Sequence, residues 1–92
     1  MVLRKLHLGC GLDIKKGYVN LDKVPLKGVD IVHDLDKYSW PFPSNYFDVV
    51  YAKDVIEHVK DLVRAMKEVH RVCKPGARVR FIVPYWHSSA AF

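Results

Sequence analysis

Two apolar runs, residues 47–52 and 78–84, flank one amphipathic helix, and this spacing constrains the fold more than any other feature of the chain. Both runs are dense in β-branched and aromatic residues, Val49-Val50-Tyr51 in the first and Val79-Arg80-Phe81-Ile82-Val83 in the second, which suits a pleated surface. From Asp61, a good N-cap, the apolar residues Leu62, Val63, Met66, Val69 and Cys73 recur at three- and four-residue steps, while Arg64, Lys67, Glu68 and Arg71 fill the other face. Lys74-Pro75-Gly76 is expected to stop the helix. A helix of that length between two strands is the crossover of a βαβ unit, with parallel strands and a right-handed connection. The nearly continuous apolarity of 47–52 predicts a strand covered on both faces.

Three further short runs, 5–8, 18–21 and 30–33, are bounded by Gly, Pro, Asp or Asn and bring the expected strands to five. Residues 53–59 could add one short helical turn. Trp40-Pro41-Phe42-Pro43-Ser44-Asn45 cannot be helical, because two prolines one residue apart restrict themselves and their predecessors, so it is expected to be a loop with buried aromatics. The result is an α/β fold with a mostly parallel sheet of about five strands and few helices. No repeat or linker divides the 92 residues, which read as one domain, 1–92. Its core should be thin and its stability modest unless a partner or ligand adds to it.

Fifteen Lys and Arg against ten Asp and Glu give a net charge of +5, which favours acidic partners without naming one. In the sequence the cations are scattered rather than gathered into one block interleaved with aromatics, so nucleic-acid binding is not the primary role expected. Cys10 and Cys73 lie far apart with no CxxC pair, so neither a metal site nor a disulfide framework is indicated and a reducing cytoplasm fits best. No stretch suits a signal peptide, a lipid anchor or a membrane helix, and the reading is a soluble, cytoplasmic chain.

The chemistry is concentrated at Leu6-His7-Leu8-Gly9-Cys10-Gly11, a strand running into a Gly-x-Gly turn where a ligand can approach backbone that a β-carbon would shield. Asp22 closes the next run, where a carboxylate can accept both hydroxyls of an adenosine ribose. Asp34 ends the one after it, on the same sheet edge. A dinucleotide would require glycine at the position of Ile14 and a helix N-terminus facing its pyrophosphate, and Asp13 would add repulsion. A sulfonium cofactor with an amino-acid tail has no phosphate and tolerates nearby carboxylates.

These features together resemble the class I S-adenosylmethionine-dependent methyltransferases, in the small Rossmann-like form grouped as family 11. The similarity runs from Leu6 to Pro84. It rests on Leu8-Gly9-Cys10-Gly11, on Gly17-Tyr18-Val19-Asn20-Leu21-Asp22, on Asp34-Leu35, on Trp40-Pro41-Phe42-Pro43 followed by Phe47-Asp48-Val49-Val50-Tyr51-Ala52, on Glu57-His58, and on Glu68-Val69-His70-Arg71-Val72-Cys73-Lys74-Pro75-Gly76. The resemblance implies a Rossmann-like sheet in the order 3-2-1-4-5 and S-adenosyl-L-methionine as cofactor, with Gly9, Cys10 and Gly11 in the turn under its methionine part. It further implies Asp22 on the ribose, Asp34 with Leu35 at the adenine, and Ala52 with Lys53 along the floor after the fourth strand. The methyl acceptor is unknown, a small molecule being favoured over nucleic acid.

Two departures from the family pattern bear on activity. Asp22 follows Gly11 by 11 positions, too few for a full helix between the first two strands, which leaves the cofactor side open. The chain ends at Phe92, where the enzymes it resembles continue with two more strands and the segments that shape the substrate site. It therefore reads as the cofactor-binding core, weak or inactive alone, with an unpaired edge at 78–83 through which it could form a homodimer. The alternative is a non-catalytic Rossmann-like binding module acting through a partner. Methyl transfer from a sulfonium depends chiefly on alignment, so no catalytic residue is named. His58 could serve as a base, but Glu57-His58 suits a helix-start network equally. Cys10 is expected to be a small apolar filler, and Tyr85-Trp86-His87-Ser88 either faces substrate or is a frayed tail.

Overall fold

A computed structural model describes residues 2–83 of the chain. Five strands, β1 (Lys5–Leu8), β2 (Val19–Asp22), β3 (Ile31–Val32), β4 (Phe47–Lys53) and β5 (Cys73–Ile82), accompany one α-helix, α1 (Leu62–Val72), and a 3-10 turn at Ile56–His58. The strands form a single sheet in the order β3-β2-β1-β4-β5, with every neighbouring pair parallel. The strand order expected from the sequence is therefore the one observed, with its switch point between β1 and β4. Pro84, the last residue of the fifth expected strand, and Tyr85-Trp86-His87-Ser88 lie outside the described residues. Among the described residues no helix is long and apolar enough to cross a membrane.

Register divides the sheet into two unlike faces. Lys5 pairs with Val49, His7 with Asn20 and Tyr51, and Val49 and Tyr51 in turn with Arg78 and Arg80, so these side chains share one face. Leu6, Leu8, Leu21, Val50 and Ala52 share the other, and all five are fully buried. Trp40 from the aromatic loop and Ala65, Val69 and Val72 from α1 close that second face into a core. The loop that could not be helical thus delivers its tryptophan, as its composition suggested.

Two sequence expectations need correction here. Lys74-Pro75-Gly76 does not separate helix from strand: β5 begins at Cys73, and these residues form an irregularity inside it. The partner of β5 moves from Phe47 at Cys73 to Val49 at Arg78, so the surplus residues bulge out of the ladder and the proline needs no partner for a missing N–H. The second correction concerns α1. Asp61 caps it as expected, accepting from the Arg64 N–H at 3.0 Å, but the residues it buries are Ala65, Glu68, Val69 and Val72. Leu62, Val63 and Met66 are instead exposed.

A polar network draws this other stripe inward. The Glu68 carboxylate accepts from the Trp40 N–H at 2.8 Å and from Arg71 Nε at 2.8 Å. Arg71 also donates to the carbonyl oxygens of Phe42 and Trp40, at 2.8 and 3.1 Å. Helix and aromatic loop are thereby clamped through two side chains that the sequence pattern places in solvent.

On the opposite face His7 is buried, with Nδ1 3.0 Å from Asn20 Oδ1. That oxygen also accepts from the Lys15 N–H at 3.0 Å, so His7 Nδ1 carries the proton and donates. Burial holds the His7 imidazole below its usual range, outweighing the opposing effect of the Asn20 hydrogen bond. A base whose folded pKa is depressed binds its proton more readily when unfolded. Stability is therefore expected to decline as pH falls below about 6.5, the ordinary histidine value, towards the depressed folded value. Urea midpoints at successive pH values should show this slope in the wild type and a flatter one in His7→Gln.

Candidate functional site

The carboxyl ends of β1, β2, β3 and β4 surround a cleft of about 300 Å³ at the switch point, where ligands of open α/β sheets bind. The turn after β1 forms one wall. Gly9 has φ +63°, and a β-carbon there would lie 2.5 Å from Val55 Cγ2, so the turn meets the loop after β4 only because no side chain intervenes. Gly9→Ala is expected to destabilise the fold by about 2 kcal/mol, from left-handed backbone strain and the displaced valine. A thermal melt measures this directly. Gly11 has φ +53° and no heavy atom within 4 Å of where its β-carbon would be, which leaves its backbone open to approach.

Asp22, at the end of β2, is the centre of the arrangement. One carboxylate oxygen accepts the Gly11 N–H at 2.8 Å and the other accepts the Val24 N–H at 3.0 Å. The carboxylate is thus fixed from both sides by backbone of two separate loops. The strand ends are locked together as well, since the His33 N–H donates to the Asp22 carbonyl at 3.0 Å. Asp34 caps its own turn through Asp36 N at 2.9 Å, and Asp36 accepts the Lys60 N–H at 2.8 Å, which ties the β3 end to the loop before α1. The Leu35 carbonyl accepts from Trp40 Nε1 at 3.0 Å, so the core tryptophan steadies the same turn.

Gly9, Asp22, Asp34 and Leu35 line the cleft together. Gly11 adjoins it through its bond to Asp22. Cys10 is buried beneath the turn, its N–H donating to the Leu21 carbonyl at 3.0 Å. Burial, reinforced by the Asp22 charge, pushes its thiol above the usual range, so it stays protonated and is no nucleophile.

Ala52 and Lys53, expected along the floor, are not among the residues that line this cleft. Ala52 is fully buried on the core face beside Leu8, and Lys53 is exposed. The wall after β4 is built instead by Asp54 and Val55, because the chain turns there with Asp54 at φ 55°. Sequence reasoning missed both residues, and also Asp36. An aspartate tolerates left-handed backbone better than most residues, the one signal that could have marked Asp54 as a corner. His58 reaches the rim with a largely exposed side chain, its Nε2 3.8 Å from Glu57. The Glu57 carboxylate oxygens are buried with no hydrogen-bond donor among the described residues.

Four aspartates, Asp22, Asp34, Asp36 and Asp54, line this cleft against one lysine, Lys23. A chain with a net charge of +5 thus carries an acidic basin at its switch point. Such a basin repels a pyrophosphate and attracts a cation.

Residues 3–81 match the family described as methyltransferase domain. The chain belongs to this family. Demethylmenaquinone methyltransferase of Staphylococcus epidermidis is 36% identical over 72 residues, 75% of this chain and 30% of that protein. The demethylmenaquinone methyltransferase of Listeria welshimeri is 29% identical over 79 residues, covering 79% of this methyltransferase domain and 33% of its relative. An uncharacterised methyltransferase of Schizosaccharomyces pombe is 48% identical over 42 residues, 46% of this chain and 15% of its own length. The domain therefore spans about a third or less of each of these relatives. No solved structure matches it.

Proposed function

We propose that this methyltransferase domain holds S-adenosylmethionine in the acidic cleft and directs methyl transfer to a small-molecule acceptor at the carboxyl edge of the sheet. The observation that carries the reading is the Asp22 carboxylate. Two carboxylate oxygens offer about four acceptor positions, and backbone N–H groups take one on each oxygen. The remainder suit a vicinal diol, the recognition element of a ribose. Gly9 and Gly11 leave backbone uncovered beside it, Leu35 supplies apolar surface, and Asp34 and Asp54 add the negative charge that a sulfonium and an ammonium favour.

When bound, the cofactor supplies an electrophilic methyl group whose leaving sulfur departs neutral. The chain's own contribution is then to bind and orient, through a carboxylate that is preorganised before ligand arrives. Cys10, protonated and buried, takes no part. An acidic rim disfavours a polyanion as acceptor and supports a neutral or cationic small molecule; demethylmenaquinone, in the names of the relatives, falls within that class.

Calorimetric titration tests the reading. S-adenosylmethionine and S-adenosylhomocysteine should each bind at one site per chain, while NAD, with its pyrophosphate, should not. Binding of NAD with no response to either sulfur ligand would overturn the assignment.

A further inference from the structure

The face of the sheet opposite α1 gathers cations that the sequence disperses. Lys5 on β1 and Arg78 and Arg80 on β5 point to this side by register, and Lys15 and Lys16 come from the loop between β1 and β2. With neighbouring strands about 4.8 Å apart, Lys5 lies roughly 10 Å across β4 from Arg78, and Arg80 about 7 Å further along the strand. Among the described residues only Lys15 of these five has a carboxylate within ion-pair distance, Asp13 at 3.4 Å. No helix of the described residues covers this face, since the short β1–β2 connection contains none.

Two tyrosines lie among the cations. Tyr51 has Lys15 Nζ 4.6 Å from its ring centroid, and Tyr18 has Lys5 Nζ at 5.3 Å. Both rings are part-exposed, and His7 braces them from beneath, edge-on to Tyr51 at 5.2 Å and to Tyr18 at 6.3 Å. A cation over an exposed ring is worth about 0.5–1 kcal/mol, whereas a base stacked on an aromatic side chain is worth about 1–3 kcal/mol. A ligand bearing both bases and phosphates would therefore displace the lysines from the rings and re-engage them as counter-charges.

We propose that this open face is a docking surface for single-stranded nucleic acid, separate from the acidic cleft. Each part of the surface answers to one part of that ligand: the cations to the backbone, the tyrosines to unstacked bases. A duplex presents no free base faces to the rings. An anionic membrane would call for an apolar helix face to insert, and among the described residues no helix lies on this side of the sheet. A second copy of the chain would bring the same positive charge against itself. The acidic cleft opens at the carboxyl edge rather than on this face, so the two sites carry opposite charge and suit different ligands.

Fluorescence anisotropy with the full chain and a labelled single-stranded oligothymidine tests the proposal. A duplex of equal length, polyglutamate and phosphatidylserine vesicles serve as competitors. The single strand should bind best and, if three or four phosphates are neutralised, weaken on the order of 20-fold between about 50 and 200 mM salt. The double variant Arg78→Glu/Arg80→Glu should lower affinity at least about 10-fold with an unchanged melting temperature. Lys16→Glu, on an exposed loop turn, provides a second variant whose folding is not at stake and should also weaken binding. Undiminished affinity in folded variants, no binding at low salt, or equal competition by polyglutamate, vesicles or duplex would overturn it.

Discussion

Glu68→Ala is expected to lower the stability of the fold by about 3 kcal/mol, because removing a buried carboxylate leaves the half-buried Arg71 guanidinium without its counter-charge. The glutamate is buried, and three donors depend on its carboxylate: Trp40 N, Arg71 Nε and Arg71 Nη2. The alanine also strands the Trp40 N–H inside the core. Domains of this size are stable by roughly 5–14 kcal/mol, and each lost kcal/mol shifts the melting temperature by about 4–8 °C. A drop of at least about 10 °C follows, measurable by circular dichroism. Glu68→Gln keeps an acceptor for Trp40 and should lose less. The Arg71 guanidinium, chiefly, holds the Glu68 carboxyl below the usual range against its burial. With a depressed folded pKa, this carboxylate stabilises the fold above the ordinary glutamate value and loses that contribution as pH falls through the folded value. The Glu68→Gln variant should therefore show a shallower acid limb than wild type. A melting temperature within a degree or two of wild type in Glu68→Ala would show that helix and loop are held together by apolar packing alone.

The same pair explains where sequence reasoning succeeded and where it did not. The β4–α1–β5 unit was legible because its apolar runs and the Asp61 cap are local signals, and strand order followed from the family pattern. The helix face was legible only in part: of the expected stripe Val69 and Cys73 are buried, while Leu62, Val63 and Met66 are exposed. At 3.6 residues per turn, the stripe containing Ala65, Glu68 and Val72 lies about 130° away around the axis from Leu62, Val63 and Met66. A small alanine, a valine and an ion pair clamped to the Trp40 loop prevail over larger apolar side chains, since the loop supplies partners for Glu68 and Arg71 that no periodicity count can register. The strand after the helix was mis-started for a related reason: Pro75 and Gly76 read as punctuation, yet a bulge at a sheet edge accommodates both.

In the cleft, the residues found by sequence were those whose chemistry is written in their type and position, Gly9, Asp22 and Asp34 at strand ends. Those missed, Asp54 and Val55, owe their place to a corner in the backbone after β4. Ala52 and Lys53 fall two positions short of Asp54 and Val55, and Ala52, paired beside Leu8, shares its direction into the core. Likewise, the basic face was invisible along the chain. Arg78 and Arg80 are neighbours of Lys5 only through the registers of β5 on β4 and of β4 on β1.

Asp22→Ala is expected to weaken S-adenosylmethionine and S-adenosylhomocysteine binding by about 10- to 100-fold, corresponding to about 1.4–2.7 kcal/mol, as loss of charge-assisted hydrogen bonds to a diol requires. The effect has two sources. The direct one is removal of the acceptor. The indirect one is release of the Gly11 and Val24 N–H groups, which the carboxylate holds at 2.8 and 3.0 Å and which set the spacing between the β1 turn and the β2 loop. Asp22→Asn separates them, because its amide oxygen can still accept one backbone bond while the charge is gone, so it should fall between wild type and alanine. Both ligands must be measured. The diol is common to them, so equal losses implicate the ribose end, whereas a loss confined to the sulfonium form would make Asp22 a long-range charge partner instead. Equal affinity for both ligands in wild type and in a folded Asp22→Ala would remove this carboxylate from the site and with it the reading of the cleft.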